Sequence, residues 1–148
     1  MYDIRIFGIL IFFILLIDIP FVITIFKPYL WNKVLKKIQG SSDNDNKLNI
    51  LLGFIITYIL IPLGIFLFVI PLIDKNDWFN SCLKWGFIWG LITYGIFDFT
   101  NLVLFKDYPL SLAIVDTLWG GIMCATSLLI TYTISIKIGL ISIPENKL

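Results

Sequence analysis

The stretch from Tyr94 to Gly121, YGIFDFTNLVLFKDYPLSLAIVDTLWGG, decides how the chain is read. Two apolar runs carry one aspartate each and flank a short polar turn at Lys106 and Asp107, with Pro109 placed to open the second run at its first helical position. This is the pattern of a hairpin of two membrane helices. Asp98 and Asp116 lie at equal sequence distances either side of Asp107, so both carboxyls sit roughly 10 Å inside the same membrane face. With the turn fixed there, facing residues sum to about 214 in sequence number: Asp98 faces Asp116, Tyr94 faces Gly120, and Gly90 faces Cys124. Large residues meet small ones, as close helix packing requires. Gly86 and Gly90 form a GxxxG step, and Tyr94, Asp98 and Asn101 continue the same stripe at i, i+4, i+7.

Working toward the N-terminus, the third span covers residues from about Lys84 to Phe105, after a polar turn from Asp74 to Asp77, with Trp78 and Trp85 as interface anchors. The second runs from about Leu48 to Ile73 and carries a kink at Pro62. The first runs from about Ile4 to Phe26. It is longer than a signal-peptide core and no A-x-A-like site follows it, so it reads as a retained helix. Within it Asp18 and Pro20 are read as pointing inward. Between these two spans Leu30, Trp31, Val34, Leu35 and Ile38 fall on one helical face and Lys33, Lys36 and Lys37 on the other. That describes a short amphipathic helix, about 28–39, resting on the membrane. Its basic side either attracts anionic lipid or serves only to set topology. Toward the C-terminus, the fourth span runs from about Pro109 to Ile136, longer than one crossing needs. The expected fold is an all-α integral membrane four-helix bundle, a single membrane domain over 1–148 with that interfacial helix between spans one and two.

Composition agrees. With 59% hydrophobic and 14% charged residues and a mean hydropathy of +0.95, a chain of 148 residues is too apolar for a soluble domain. A net charge of +1 with no basic face argues against nucleic acid as a partner. There is no histidine, and Cys82 and Cys124 belong to different spans, which argues against a disulfide and against zinc, copper, haem or iron–sulfur centres. No cofactor is expected, and any metal would be a hard cation held by oxygen. The partners left open are the lipid bilayer, anionic lipid at the first loop, and a second copy of the chain.

The depth of the hairpin aspartates is shared by the other spans. Asp18 lies a similar distance before Lys27, and Thr57 and Tyr58 a similar distance after Leu48. One layer therefore collects Asp18, Asp98 and Asp116, the hydroxyls of Tyr58 and Tyr94, the amide of Asn101, and Thr57, Thr100 and Thr117. No lysine or arginine lies at that depth. Three carboxylates in low dielectric without a basic partner cannot all stay ionised, so either protons or a bound cation complete the layer. Proton relays and cation pathways are built this way. The same groups also serve as interhelical hydrogen-bond glue. Gly86, Gly90, Gly120 and Cys124 are assigned to helix packing. Trp119, one turn from Asp116, is read as filling the core rather than shielding the acids.

At these residues the chain resembles a family of small, mostly bacterial four-span membrane proteins, domain of unknown function twenty-one seventy-seven. Ile17-Asp18, Tyr58, TYGIFDFTN from Thr93 to Asn101 and VDTLWG from Val115 to Gly120 occupy the family's motif positions in order, and the similarity covers almost the whole chain. Phe97 stands where the family has tyrosine and Pro20 near its tryptophan. The resemblance implies a four-helix membrane protein whose aspartates matter, and supplies no reaction.

Three function classes follow. The first is a proton or cation channel or transporter with Asp18, Asp98, Asp116, Asn101, Tyr94 and Tyr58 as binding or relay groups, formed as a homo-oligomer because four short spans enclose little volume. The second is a structural or assembly protein whose aspartates lock the helices together. The third, ranked lower for want of a nucleophile or phosphate loop, is a membrane enzyme acting on lipid or a small solute. An even number of spans places both termini on one side. The cluster of Lys27, Lys33, Lys36, Lys37 and Lys47 in one short loop favours a cytoplasmic location for that loop. Heavy use of Ile, Asn and Lys points to an AT-rich genome, and so to a bacterial inner membrane or a host or virion membrane.

Overall fold

The computed structural model describes residues 2–25 and 47–144. The expected interfacial helix, with Trp31, Lys33, Lys36 and Lys37, lies outside the described residues. Four helices, each long and apolar enough to cross a bilayer, make up the described chain, which is a multi-pass membrane bundle.

Helix α1 spans Ile4–Phe21. Asp3 caps it, its carboxylate accepting from the Arg5 amide at 2.8 Å and pairing with the Arg5 guanidinium at 2.6 Å. Ile6, Leu10 and Ile14 are fully buried, and Asp18 continues the same i, i+4 series, which is why it points inward. Pro20 does not. It is exposed, because it stands two residues, or about 200° of helix rotation, from Asp18. Beyond Phe21 the helix widens into a π-helical turn over residues 22–25, where the Thr24 hydroxyl donates to the Pro20 carbonyl at 2.7 Å.

Helix α2 spans Lys47–Gly64 with Pro62 inside it, and the chain continues as a π-helical turn, Ile65–Val69, and a 3-10 turn, Ile70–Leu72. Helix α3 spans Trp78–Leu104. It begins six residues before the expected start at Lys84, since hydropathy locates the membrane-crossing part and not the hydrogen-bonded helix. Trp78, expected as an interface anchor, stacks on Tyr132 with ring centroids 6.0 Å apart. Helix α4 spans Leu110–Lys137. Pro109 precedes it, its carbonyl accepting from the amides of Leu112 and Ala113. At the far end Gly139 adopts a φ of +74°, which lets the amides of Leu140 and Ile141 turn back to the Ser135 carbonyl.

Helix α4 is the centre of the bundle. Half of its most apolar window is buried, against 22% or less for the other three. The α3–α4 hairpin is the most extensively packed pair, with α1 against α4 and α2 against α1. Glycines permit this approach: a Cβ on Gly86 would lie 2.7 Å from Ala125 Cα, Gly90 abuts the Gly120 backbone, and Gly120 lies under the Tyr94 ring. Gly90 therefore does not face Cys124, as equal stepping from the turn suggests. The carbonyl of Cys124 lies against Gly86 instead. Contacting ridges interdigitate rather than meeting level, so the sum of facing residue numbers drifts away from the turn. Cys82 and Cys124 are buried and free.

Candidate functional site

The three intramembrane aspartates are 5%, 0% and 6% exposed at positions 18, 98 and 116, although lipid-facing neighbours such as Ile96 and Val103 lie open. Each comes inward because the buried stripe of its own helix carries it there. Their surroundings differ.

Asp18 is fully engaged by neutral donors. Its Oδ2 accepts from the Tyr58 hydroxyl of α2 at 2.7 Å and its Oδ1 from the Trp119 indole N–H of α4 at 2.8 Å. Trp119 is held for that task by a parallel stack on Phe21, with centroids 3.8 Å apart. One carboxyl thus ties together three helices.

Asp98 is engaged within the hairpin. The Tyr108 hydroxyl donates to its Oδ1 at 2.6 Å, and the Thr117 hydroxyl reaches its Oδ2 at 3.5 Å, the outer limit of a hydrogen bond. Tyr108 sits in the α3–α4 turn outside the spans, next to Asn101. Burial, followed by its bond to Asp98, pushes the Tyr108 hydroxyl above the ordinary tyrosine range, which keeps it a proton donor.

Asp116 is different again. Among the described residues no neutral side chain is seen donating to it; its carboxyl approaches that of Asp98 closely enough for the two to hydrogen-bond. It also lines a cavity of about 370 Å3 together with Asp18, Tyr58, Tyr94, Thr57 and Asn49. The Tyr94 ring covers Gly120, and Asp18 and Asp116 are among its electrostatic neighbours. Phe97 lines the same cavity.

The structure therefore brings together Asp18, Asp98, Asp116, Tyr58, Tyr94, Thr57 and Thr117, with Asn101 beside Tyr108 at the hairpin end. It does not bring Thr100, which is exposed, because Thr100 lies about 200° of helix rotation from Asp98. Two residues escape sequence reasoning. Trp119 is a hydrogen-bond donor and not mere filling; the signal was its i+3 spacing from Asp116 on a buried face, with an indole N–H that needs a partner. Tyr108 looks like part of a polar turn, and nothing in periodicity marks a turn residue that folds back on its helix. Two contacting carboxyls in an apolar setting are tenable only with a proton or a cation between them, and one of this pair also faces a cavity. Such a site can take up and release a small positive charge.

The family model described as predicted membrane protein, DUF2177, matches residues 4–133. No curated protein and no solved structure matches the chain.

Proposed function

The chain belongs to this family of membrane proteins, and on that footing we propose that it is a proton or cation channel or transporter whose exchanging group is the Asp98–Asp116 pair. The observation that carries this reading is the position of Asp116, in carboxyl contact with Asp98 on one side and lining a cavity on the other. Tyr94 and Thr57 supply hydroxyls along that cavity, and Asp18 adds a further carboxyl to it. Hard oxygen ligands of this kind suit protons and alkali or alkaline-earth cations. A homo-oligomer belongs to the same proposal and is measured by native mass spectrometry of the solubilised protein. So does a cytoplasmic location for the loop after the first span, which follows from the lysine cluster.

The test is flux in liposomes. Purified wild type should carry proton or monovalent cation current, and Asp116→Asn should abolish it. Wild-type vesicles as tight as protein-free ones would remove the transport reading.

A second reading has its own support. Asp18 and Asp98 each accept bonds from two neutral donors, which is what a purely structural lock requires. Under that reading all three Asp→Asn variants destabilise the bundle and none alters flux.

A further inference from the structure

From the carboxyl layer onward, the buried face of α4 carries a stripe of small, mostly polar residues. Asp116, Gly120, Cys124, Ser127, Thr131 and Ser135 follow one another at steps of three or four residues, which keeps them on one helical stripe. All six are buried. Their span is roughly 28 Å of helix rise, close to the full hydrocarbon thickness of a bilayer. Taken alone, such a stripe is ordinary helix-packing surface.

The hydroxyls at its far end are not ordinary. Among the described residues, Thr131 Oγ1, Ser135 Oγ and the hydroxyl of the flanking Tyr132 are buried without a hydrogen-bond partner. All three residues are fully buried. Elsewhere in the bundle a helical threonine meets this need simply, by donating to the carbonyl four residues earlier. Thr24 does so at 2.7 Å, Thr93 at 3.0 Å, Thr126 at 2.8 Å and Thr133 at 2.7 Å. Thr131 and Ser135 have the same option within α4 and do not take it. A buried hydroxyl left unpaired is costly, and three of them together are found where small polar molecules satisfy them.

The two ends of the stripe also lead somewhere. Cys124 is an electrostatic neighbour of both Tyr94 and Asp18, which places this end of the stripe beside the carboxyl layer. Tyr132 is a neighbour of Cys82 and of Tyr2, and Tyr2 lines an open polar depression of about 610 Å3 with Asp3, Lys75 and Ser142. This depression lies at the opposite end of α4 from the turn that holds Tyr108.

We propose that Thr131, Tyr132 and Ser135 bind a file of internal water that links the Tyr2 depression to the carboxyl layer along α4, and that protons pass along it by hydroxyl and water relay. The file deepens the transport reading, on which its conducting role rests, and selects the proton over a metal cation. A hydroxyl-lined stripe passes protons by exchange along hydrogen bonds and offers no cage of oxygens for a dehydrated ion. Each relay step leaves a hydroxyl with the same number of protons it started with, so none of the three residues changes charge over a cycle.

Two measurements test it, and they fail independently. Millisecond radiolytic hydroxyl labelling in detergent micelles reads water held beside a side chain. Tyr132 should be labelled in the wild type despite its full burial, and a Thr131→Val, Ser135→Ala double variant should lower that labelling about tenfold, as expected when the water's partners are removed. In liposomes the same double variant should cut proton flux about tenfold. Thr131→Ser, which keeps a hydroxyl, and Thr126→Val, whose hydroxyl is already bonded, should retain wild-type flux. An unlabelled wild-type Tyr132 overturns the water file. Labelling that is present while the double variant conducts like wild type overturns its role in conduction. Wild-type vesicles without flux defeat the carboxyl-layer reading and the relay with it, and the labelling result then still decides whether the water is there.

Discussion

Asp18 has two acceptor atoms and two donors aimed at them, one on α2 and one on α4. Trp119→Phe keeps the stack on Phe21 but removes the N–H, leaving one carboxylate oxygen without its donor. The expected cost is about 1–3 kcal/mol, read as a lower melting temperature in detergent. Tyr58→Phe should cost a similar amount. The double variant should cost less than the sum, since both singles disturb one carboxyl. At the N-terminus, hydrogen bonds from the Arg5 side chain and backbone hold the Asp3 carboxyl down at about 2, against an ordinary 3.8. A depressed carboxylate stabilises the fold above its unfolded value and ceases to do so as the pH falls toward its folded one. The Asp3 cap should therefore be intact above pH 5 and weaken between about pH 4 and pH 2. An Asp3→Asn variant, which caps without titrating, should lose that part of the acid sensitivity of α1 in a pH series of amide exchange.

At the scale of elements, the α3–α4 hairpin depends on missing side chains more than on present ones. A Cβ at Gly90 would collide with the Gly120 backbone, and one at Gly120 with the Tyr94 ring. Gly90→Ala meets main chain that cannot rotate away, so it should force the helices apart at a cost of about 1–3 kcal/mol or more. Gly53→Ala on α2 meets nothing within 4 Å among the described residues and should be neutral or slightly stabilising, as helix propensity favours alanine. Thermal melts of the two variants in one detergent make the comparison. The hairpin itself is legible in the sequence: the Lys106–Asp107 turn, the proline after it and the glycine steps all agree. Its exact pairing was less so. Near the turn Tyr94 meets Gly120 as expected, but Cys124 ends beside Gly86, because a constant sum of residue numbers ignores how ridges seat in grooves.

For the molecule as a whole, stability and transport should separate at one residue. Asp116→Asn exchanges a carboxyl that adjoins the carboxyl of Asp98 for an amide that can donate to it. Melting temperature should hold or rise, as it often does when a buried ionisable pair is neutralised. Proton flux should disappear. The same substitution at Asp18 should do the reverse to stability, because an asparagine offers one acceptor where two donors converge. If both variants destabilise alike and flux is untouched, the aspartates are structural.

The amino-acid sequence by itself determined that the chain is a four-helix membrane protein and that Asp98 and Asp116 share a hairpin. It also placed Asp18 and Tyr58 at a matching depth. Apolar length sets the number of crossings, and a 3.6-residue period sets the face on which each polar group lies. Tertiary structure decided which groups touch. The bond from Trp119 to Asp18 joins residues 101 positions apart, and the return of Tyr108 to Asp98 depends on the shape of a turn. The outward position of Pro20 and the unpaired hydroxyls of Thr131, Tyr132 and Ser135 are likewise invisible in the sequence. Periodicity gives each helix a face and a depth. The rotation of one helix against another, which turns shared depth into contact, comes only from how four particular surfaces pack.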